Sequence, residues 1–228
     1  MLNRAARFFP ILRQLRSRLP ADATLLEVGS GSLGIGEYRT APFVGCDVTF
    51  SSRPLKNMRA VQCSGHELPF RDGSFDAVVV SDVMEHLPPQ LRSRVVGEAL
   101  RVARGLAIIG FPCGKAALEL DQKLYLDYKS RDLPPPSWLE EHMLYPFPDE
   151  SLLLNLPPEW NIEVLPNESL KFHYWVMKSE MSALWDYSFR GMLRIAPGLV
   201  ERLLQNDDQE PSYRKIFVLS RRTKTIHD

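Results

Sequence analysis

Residues 24–38 read TLLEVGSGSLGIGEY, and this stretch decides the fold. The apolar run from Leu25 to Val28, interrupted by one acid, is typical of a short strand that is buried on both faces. Glycines then recur at every second or third position, so the backbone can turn sharply and approach a ligand closely. We therefore predict a strand, a tight turn and a helix that begins near Leu33, with its free N–H groups directed back at the turn.

Gly29, Gly31 and Gly34 form a G-x-G-x-x-G pattern, which occurs in nucleotide sites and also in strand-to-helix turns that bind nothing. Glu27 precedes the first of these glycines, and an acid buried there needs a cationic partner. Asp47 follows Glu27 by about 20 positions, after a second apolar run. At that spacing, the second strand of a doubly wound sheet offers an acid to ribose hydroxyls, which favours a nucleotide site.

Two blocks of the sequence resemble motifs of the class I S-adenosylmethionine-dependent methyltransferases. Residues 27–31 (EVGSG) resemble the first motif of that family, and residues 74–87 (SFDAVVVSDVMEHL) resemble its fourth-strand block. The segment Leu68-Pro69-Phe70 matches the lead-in to that block. The resemblance extends from Leu25 to about Cys113 and becomes weaker over the second half of the chain.

The resemblance implies a single α/β domain over residues 1–228, with a Rossmann-like seven-stranded sheet. In such a fold the last strand is antiparallel, helices cover both faces, and helical insertions lie over the substrate side. Two segments depart from the family pattern and are expected to form these insertions. Residues 115–148 are expected to form a lid, and residues 167–206 are expected to cover the substrate mouth or to form a partner surface.

S-adenosylmethionine is the cofactor that the resemblance implies. Gly29 and Gly31 would let the backbone approach its methionine portion, Glu27 would be an indirect partner of its ammonium group, and Asp47 would accept hydrogen bonds from its ribose. The end of the fourth strand would lie beside the sulfonium. The predicted cofactor-binding residues are Glu27, Gly29, Ser30, Gly31, Asp47, Val48, Gly65, His66, Ser81, Asp82 and Val83.

The adenine end of the site departs from the family pattern. Relatives usually carry an aspartate at the turn after the third strand, where it contacts the adenine amino group, but Ser64 stands at this position. The backbone N–H of Gly65 could serve the ring instead, and His66 could stack on it. The alternative is that His66 is an exposed turn residue.

His86 is the candidate general base, because an imidazole titrates near neutral pH and can accept the proton of an acceptor hydroxyl. The alternative is a structural histidine that orders the start of a helix. His142, delivered from the lid, is a second candidate base, and Glu85 is interpreted as a surface or capping residue. No metal site is predicted, because the histidines show no ligand spacing; they are His66, His86, His142, His173 and His227.

Residues 1–20 carry apolar side chains at helical spacing, with arginines between them. Because proline fits the start of a helix better than its middle, Pro10 predicts two short helices here. This basic amphipathic segment either lies on an anionic membrane surface or packs over the cofactor side of the sheet.

Composition limits the function classes. The 228 residues include 28 Lys and Arg against 28 Asp and Glu, a formal net charge of +0, which argues against a large nucleic-acid interface. Three scattered cysteines form no C-x-x-C pair. We find no apolar run of membrane-spanning length and no secretion signal, which predicts a cytoplasmic protein.

The sequence therefore predicts methyl transfer to a small-molecule, lipid or glycan-linked acceptor. An NAD(P)-dependent reductase is the nearest enzymatic alternative, because it shares the glycine-rich turn and the distal acid. The second alternative is a non-catalytic methyltransferase-like subunit that binds a partner through residues 167–206.

Overall fold

Seven strands form one sheet in the order β3-β2-β1-β4-β5-β7-β6 in the computed structural model, which describes residues 2–222 except the side chains of 183, 184, 186 and 187. The first five strands run parallel, and β7 is antiparallel to both β5 and β6, as predicted. The strands are β1 Leu25–Val28, β2 Phe43–Asp47, β3 Met58–Gln62, β4 Phe75–Ser81, β5 Ala103–Pro112, β6 Trp160–Ser169 and β7 Ser212–Arg221.

The strand order reverses at β1, which lies between β2 and β4. In open α/β sheets, the carboxyl ends of the strands at such a reversal form a crevice that binds ligands. Most of the predicted cofactor-binding residues lie at or just beyond the ends of these three strands, and Gly65 and His66 follow the neighbouring β3. The topology therefore brings them to one edge of the sheet.

Helices cover both faces of the sheet and fill the predicted insertions. The segment at 115–148 contains α3 and α4, and the segment at 167–206 contains the end of β6 followed by α5, α6 and α7. The helices are α1 Leu2–Arg18, α2 Pro89–Val102, α3 Gly114–Ser130, α4 Ser137–Glu141, α5 Leu170–Glu180, α6 Ala183–Ile195 and α7 Pro197–Gln205, with short 3-10 helices at Gly34–Glu37, Met84–His86 and Glu150–Leu153.

Two apolar layers lie against opposite faces of the sheet, because successive strand residues point to opposite sides. In β4, Ala77 and Val79 join the layer that contains α1 and α5, while Val78 and Val80 join the layer that contains α2. All four side chains are fully buried. The prediction of central strands buried on both faces is confirmed.

The prediction of a helix that begins near Leu33 was wrong. The chain forms only a four-residue 3-10 helix at Gly34–Glu37. Gly34 has φ +50°, which is left-handed and incompatible with an α-helical start. A side chain at this glycine would also collide with Glu27, since an added Cβ would lie 2.1 Å from Oε2.

The prediction that Pro10 divides the N-terminal segment was also wrong, because α1 runs through it as one helix. Residues on both sides of Pro10, including Phe8 and Ile11, are buried in the same apolar layer. Their burial offsets the hydrogen bond that proline removes. The apolar face of α1 therefore packs on the sheet, as in the second of the two interpretations. Within residues 2–222, every helix is too short or too polar to cross a bilayer.

Candidate functional site

A cleft of about 370 Å³, which we name the donor cleft, lies at the carboxyl ends of β1, β2 and β4. Most of the predicted cofactor-binding residues line it together with His86. The structure places Glu27, Ser30, Gly31 and Ser81 outside this lining. The lining residues that the sequence predicted are Gly29, Asp47, Val48, Gly65, His66, Asp82 and Val83.

Gly29 presents bare backbone to the donor cleft. Its φ is +75°, and an added Cβ would lie 2.2 Å from Val83 Cγ2 on the opposite wall. Its N–H donates to the Cys46 carbonyl at 2.8 Å, which fixes the turn against β2. Any side chain at this position would therefore strain the backbone and push the cleft walls apart.

The next two residues of the turn act differently. Gly31 has φ +52°, no described atom lies within 4 Å of its added Cβ, and its N–H donates to Asp47 Oδ2 at 2.7 Å. The side chain of Ser30 is buried, and its hydroxyl donates to the Gly31 carbonyl at 3.0 Å. Ser30 therefore shapes the turn from behind and does not face a ligand with its side chain.

Asp47 ends β2 at the rim of the cleft, beside the largely exposed Val48. Its carboxylate also accepts from the Thr49 N–H at 3.3 Å. A carboxylate has about four acceptor positions, so two remain for hydroxyl donors. The residues present therefore fit a ribose at this rim.

At the far end of the cleft, His66 Nδ1 lies 2.7 Å from the Ser64 hydroxyl. This hydrogen bond holds the ring as a wall of the cleft, and its stacking on an adenine ring stays a prediction. Gly65 packs so closely on Val28 that an added Cβ would lie 2.9 Å from Val28 Cγ1. This end of the cleft thus offers a ring and bare backbone to a planar group.

Glu27 is buried beneath the glycine-rich turn and does not reach the cleft. Its Oε2 accepts from the Ile35 N–H at 2.7 Å. Burial raises the pKa of Glu27 to about 7, against the opposing effects of the Ile35 hydrogen bond and the charges of Arg7 and Arg4. Glu27 therefore positions the turn, and its indirect role toward a cofactor ammonium group stays a prediction.

We expect the free energy of unfolding of Glu27→Gln, relative to that of the wild type, to increase as pH rises from 5 to 8. Between its unfolded pKa and a folded pKa of about 7, the folded state binds more protons, so wild-type stability falls with rising pH. The difference in free energy of unfolding should grow by about 2–3 kcal/mol across this range. Urea denaturation at several pH values measures it. The half-exposed Glu163 provides the control, since Glu163→Gln should give a nearly constant difference.

A second cavity of about 340 Å³, which we name the acceptor cavity, shares Asp82 and His86 with the donor cleft. Residues of α1, α5 and β7 close it, so the two ends of the chain and the 167–206 insertion all contribute to one wall. Its lining consists of Asn3, Arg4, Arg7, Asp82, Glu85, His86, Trp138, His142, His173, Met177, Glu180, Tyr213 and Arg214.

Arg214 is the fully buried centre of this wall. Its Nε and Nη2 donate to the two oxygens of Asp82 at 2.7 and 2.8 Å, and its Nη1 donates to Asn167 at 3.0 Å and to Glu168. Burial alone would raise the pKa of Asp82, but the charges of Arg214 and of nearby Arg7 outweigh burial and hold it at about 2. Asp82 is therefore an ionised carboxylate that is already bound by arginine.

Asp82 also has φ +51°, which is rare for a residue other than glycine. The bidentate pair with Arg214 holds this strained backbone in place at the end of β4. Glu85 lies three residues after this bend. Ser81, just before the bend, is buried with a hydroxyl that has no hydrogen-bond partner among residues 2–222.

His86 and His142 lie side by side at the junction of the two cavities, with ring centroids 4.8 Å apart. His142 Nδ1 lies 2.7 Å from Asp121 Oδ2, and His86 Nδ1 lies 2.8 Å from Glu141 Oε2, an ion-pair distance without hydrogen-bond alignment. Burial and the neighbouring His142 lower the pKa of His86. The two candidate bases are therefore brought together, although the sequence separates them widely.

The interpretation of Glu85 as a surface or capping residue was wrong, because its side chain is 0% exposed. Glu85 points inward from the short helix Met84–His86, beneath the two histidines. Burial, reinforced by the charge of Asp82, raises the pKa of Glu85 well above its usual value.

Sequence analysis missed the residues that organise the acceptor cavity from a distance. Arg214 left one signal, a charged residue within the apolar strand YRKIFVLS. Asp121 and Glu168 left none, because they are ordinary acids within a helical pattern and a strand end.

Residues 26–109 match the sequence profile of a methyltransferase domain family. An uncharacterized methyltransferase of Mycobacterium sp. (strain KMS) is 34% identical over 102 residues, which are 40% of this chain and 40% of that protein. The chain thus matches less than half the length of this curated relative.

Two solved structures establish the fold at low sequence identity. A possible histamine N-methyltransferase from Thermotoga maritima has a TM-score of 0.53, 13% identity, and coverage of 96% of this chain and 92% of its own. Phosphoethanolamine N-methyltransferase 2 from Haemonchus contortus has a TM-score of 0.52, 17% identity, and coverage of 94% and 52%.

The sheet order and the cleft at its reversal define a Rossmann-like fold with a crevice where such sheets bind ligands. Residues 26–109 resemble a methyltransferase domain, and the chain shares its fold with the two solved methyltransferases.

Proposed function

We propose that this protein transfers a methyl group from S-adenosylmethionine in the donor cleft to a small polar molecule in the acceptor cavity. One observation carries the proposal: the two cavities meet, and Asp82 and His86 line both. A methyltransferase must bring two molecules to a common boundary, and this boundary lies at the carboxyl end of β4.

The donor supplies an electrophilic methyl group on a positively charged sulfonium. Gly29 would let the backbone approach its amino-acid portion, Asp47 would accept from its ribose, and His66 with Val48 would flank its base. The chain itself must hold the acceptor atom in line behind the methyl carbon and exclude water. Such alignment supplies about 7–11 kcal/mol of the rate enhancement.

The acceptor cavity favours a small molecule that carries an oxygen-rich or anionic group. Arg7 points into it, and its Nε is buried without a hydrogen-bond partner among the described residues. An unsatisfied buried donor of this kind favours an acceptor oxygen as its partner. The Haemonchus enzyme was solved with phosphomonomethylethanolamine, a small charged molecule, which supports the same acceptor class here.

His86 is the proposed proton acceptor for the reacting group, with His142 beside it as the second candidate. Its position at the boundary of both cavities places it next to the atom that must lose a proton. General-base catalysis of this kind contributes about 10²–10⁴-fold.

We expect Gly29→Ala to weaken the binding of S-adenosylhomocysteine by roughly 30-fold, the equivalent of about 2 kcal/mol of overpacking. The added Cβ would collide with Val83 Cγ2 and narrow the donor cleft. Calorimetric titration measures the affinity. Gly73→Ala is the matched control, because Gly73 also has a positive φ, of +59°, but no described atom lies within 4 Å of its added Cβ. The Gly73→Ala variant should be less stable than the wild type and should bind S-adenosylhomocysteine with unchanged affinity.

The double variant Gly29→Ala/Val83→Ala removes the colliding methyl group and should recover part of the affinity. If Gly29→Ala binds S-adenosylhomocysteine as tightly as the wild type, the cofactor does not occupy this cleft.

The proposed activity is tested by incubating the protein with methyl-labelled S-adenosylmethionine and fractions of small polar metabolites. Label should pass to a molecule with an oxygen-rich or anionic group, and Arg7→Gln should raise KM for that molecule more than it lowers kcat. Donor binding without transfer to any fraction would favour the non-catalytic subunit instead.

A further inference from the structure

We propose that Glu85, His86 and His142 bind one divalent first-row transition-metal ion at the junction of the donor cleft and the acceptor cavity. The purpose of this ion, activation of an acceptor hydroxyl, rests on the proposed methyl transfer. The binding of the ion does not depend on it, because the ligands come from this chain alone.

The three side chains offer ligand atoms that all lie within 4.8 Å of one another. Both histidine Nε2 atoms lie 3.9 Å from the same oxygen, Glu85 Oε1. Histidine and carboxylate ligands bind zinc at about 2.0–2.2 Å, so modest side-chain rotations would bring all three onto one ion. His86 has room for this movement, since about a quarter of its side chain is exposed.

Glu85 provides an independent observation that points to a cation. It is 0% exposed, and neither carboxylate oxygen has a hydrogen-bond partner within residues 2–222. Burying a carboxyl group with no hydrogen-bond partner is costly, and a bound cation would satisfy its oxygens. Arg214, a buried cation of the same wall, is already engaged by Asp82, Asn167 and Glu168.

His142 is oriented as metal ligands usually are. Metal-bound histidines commonly donate their second ring nitrogen to a carboxylate, which fixes the tautomer. Asp121 Oδ2 lies 2.7 Å from His142 Nδ1 and also accepts from the Tyr213 hydroxyl at 2.8 Å. Because an ionised carboxylate only accepts, this contact favours the proton on Nδ1 and leaves a lone pair on Nε2, which lies 3.9 Å from Glu85 Oε1.

Glu141 takes the corresponding place behind His86, with Oε2 2.8 Å from Nδ1. This contact lacks hydrogen-bond alignment, so Glu141 lies beside His86 without fixing its ring, while both histidines lie close to Glu85. Two imidazoles and one carboxylate favour zinc, manganese or iron over magnesium, which prefers oxygen ligands.

Three protein ligands leave at least one position for an acceptor oxygen, and this position faces the acceptor cavity. A hydroxyl bound there becomes more acidic and releases its proton to water. Its lone pair then forms the new bond to the methyl carbon, while the electron pair of the carbon–sulfur bond returns to sulfur. With the ion in place, His86 is a ligand rather than a general base, so metal dependence decides between these two roles.

Sequence analysis predicted no metal site, because it considered only local spacing. Glu85 and His86 follow β4, whereas His142 follows α4 in the lid segment. The fold, and not the spacing, brings them together.

Calorimetric titration of the full chain, stripped with a chelator, tests the inference with ZnCl₂ and MnCl₂, and with MgCl₂ for comparison. We expect one zinc or manganese ion per chain, with affinity reduced more than about 100-fold in Glu85→Gln and His142→Gln. Asp121→Asn should reduce it about 10–100-fold, as outer-shell changes do. His66→Ala, a histidine of the donor cleft, should bind the ion like the wild type.

Circular dichroism shows which variants fold. If Glu85→Gln does not fold, Asp121→Asn still tests the inference, because the Asp121→Asn variant retains all three ligands. Failure of zinc and manganese to bind the wild type stoichiometrically would overturn the inference. Unchanged binding by the folded variants would overturn it as well.

A parallel titration of the stripped protein with S-adenosylhomocysteine separates this inference from the proposed function. Metal binding without S-adenosylhomocysteine binding would leave the metal site standing and remove the methyl-transfer proposal. The opposite result would remove only the metal.

Discussion

Arg214→Met is expected to lower the free energy of unfolding by about 3–5 kcal/mol, the usual cost of removing one partner from a buried ion pair. Methionine fills similar space, so the loss comes from the charges that remain. Asp82 and Glu168 would be left buried without the guanidinium that both now share. The strained backbone at Asp82 would also lose its bidentate support.

Urea denaturation measures this change, and Arg18→Met is the matched control. Arg18 pairs with Glu163 at the surface, where an ion pair contributes about 1 kcal/mol or less. Adding Glu168→Gln to Arg214→Met should recover part of the loss, because one of the stranded charges is then neutral. A loss from Arg214→Met as small as that of the control would show that the network does not hold the wall together.

His86→Ala is expected to reduce kcat by about 10²–10⁴-fold, because the residue at the boundary of both cavities either accepts the acceptor's proton or binds the ion that acidifies it. Affinity for S-adenosylhomocysteine should stay close to the wild-type value, since the donor is held mainly by the turn and by Asp47. Turnover at saturating donor and calorimetry measure the two quantities separately.

His66→Ala provides the converse control. It should weaken donor binding, because the ring forms one end of the donor cleft, and leave kcat at saturating donor nearly unchanged. Near-wild-type kcat in His86→Ala would assign His86 the structural role.

The central part of the fold could be predicted because its signals are local. The apolar run before the glycines and the block around β4 each specify a buried strand and the turn that follows it. Gly29 and Asp47 could be placed at the same edge for the same reason, since parallel strands end together. These predictions needed no knowledge of the second half of the chain.

The acceptor cavity could not be predicted because its residues meet through tertiary packing. Arg7 from α1 and Arg214 from β7 converge on Asp82, although they lie near opposite ends of the chain. Glu85 looks like a helix-surface acid in sequence, but tertiary packing buries it beside His142, which lies far away in the sequence. The prediction of a helix break at Pro10 failed for a similar reason. Apolar burial along α1 outweighs the preference of proline for the start of a helix.

Helix α1 and strand β7 lie far apart in the sequence, but residues of both form part of the wall of the acceptor cavity. The segment 167–206 contributes His173 and Met177 to the same cavity through α5. Acceptor choice is therefore expected to depend on these segments rather than on the central strands.

A crystal structure of the protein with S-adenosylhomocysteine tests the central claim most directly. The account predicts the amino-acid portion against Gly29, the ribose hydroxyls within hydrogen-bonding distance of Asp47, and the sulfur directed at His86. A donor cleft that stays closed in saturated crystals, or nucleoside density elsewhere on the molecule, would contradict it.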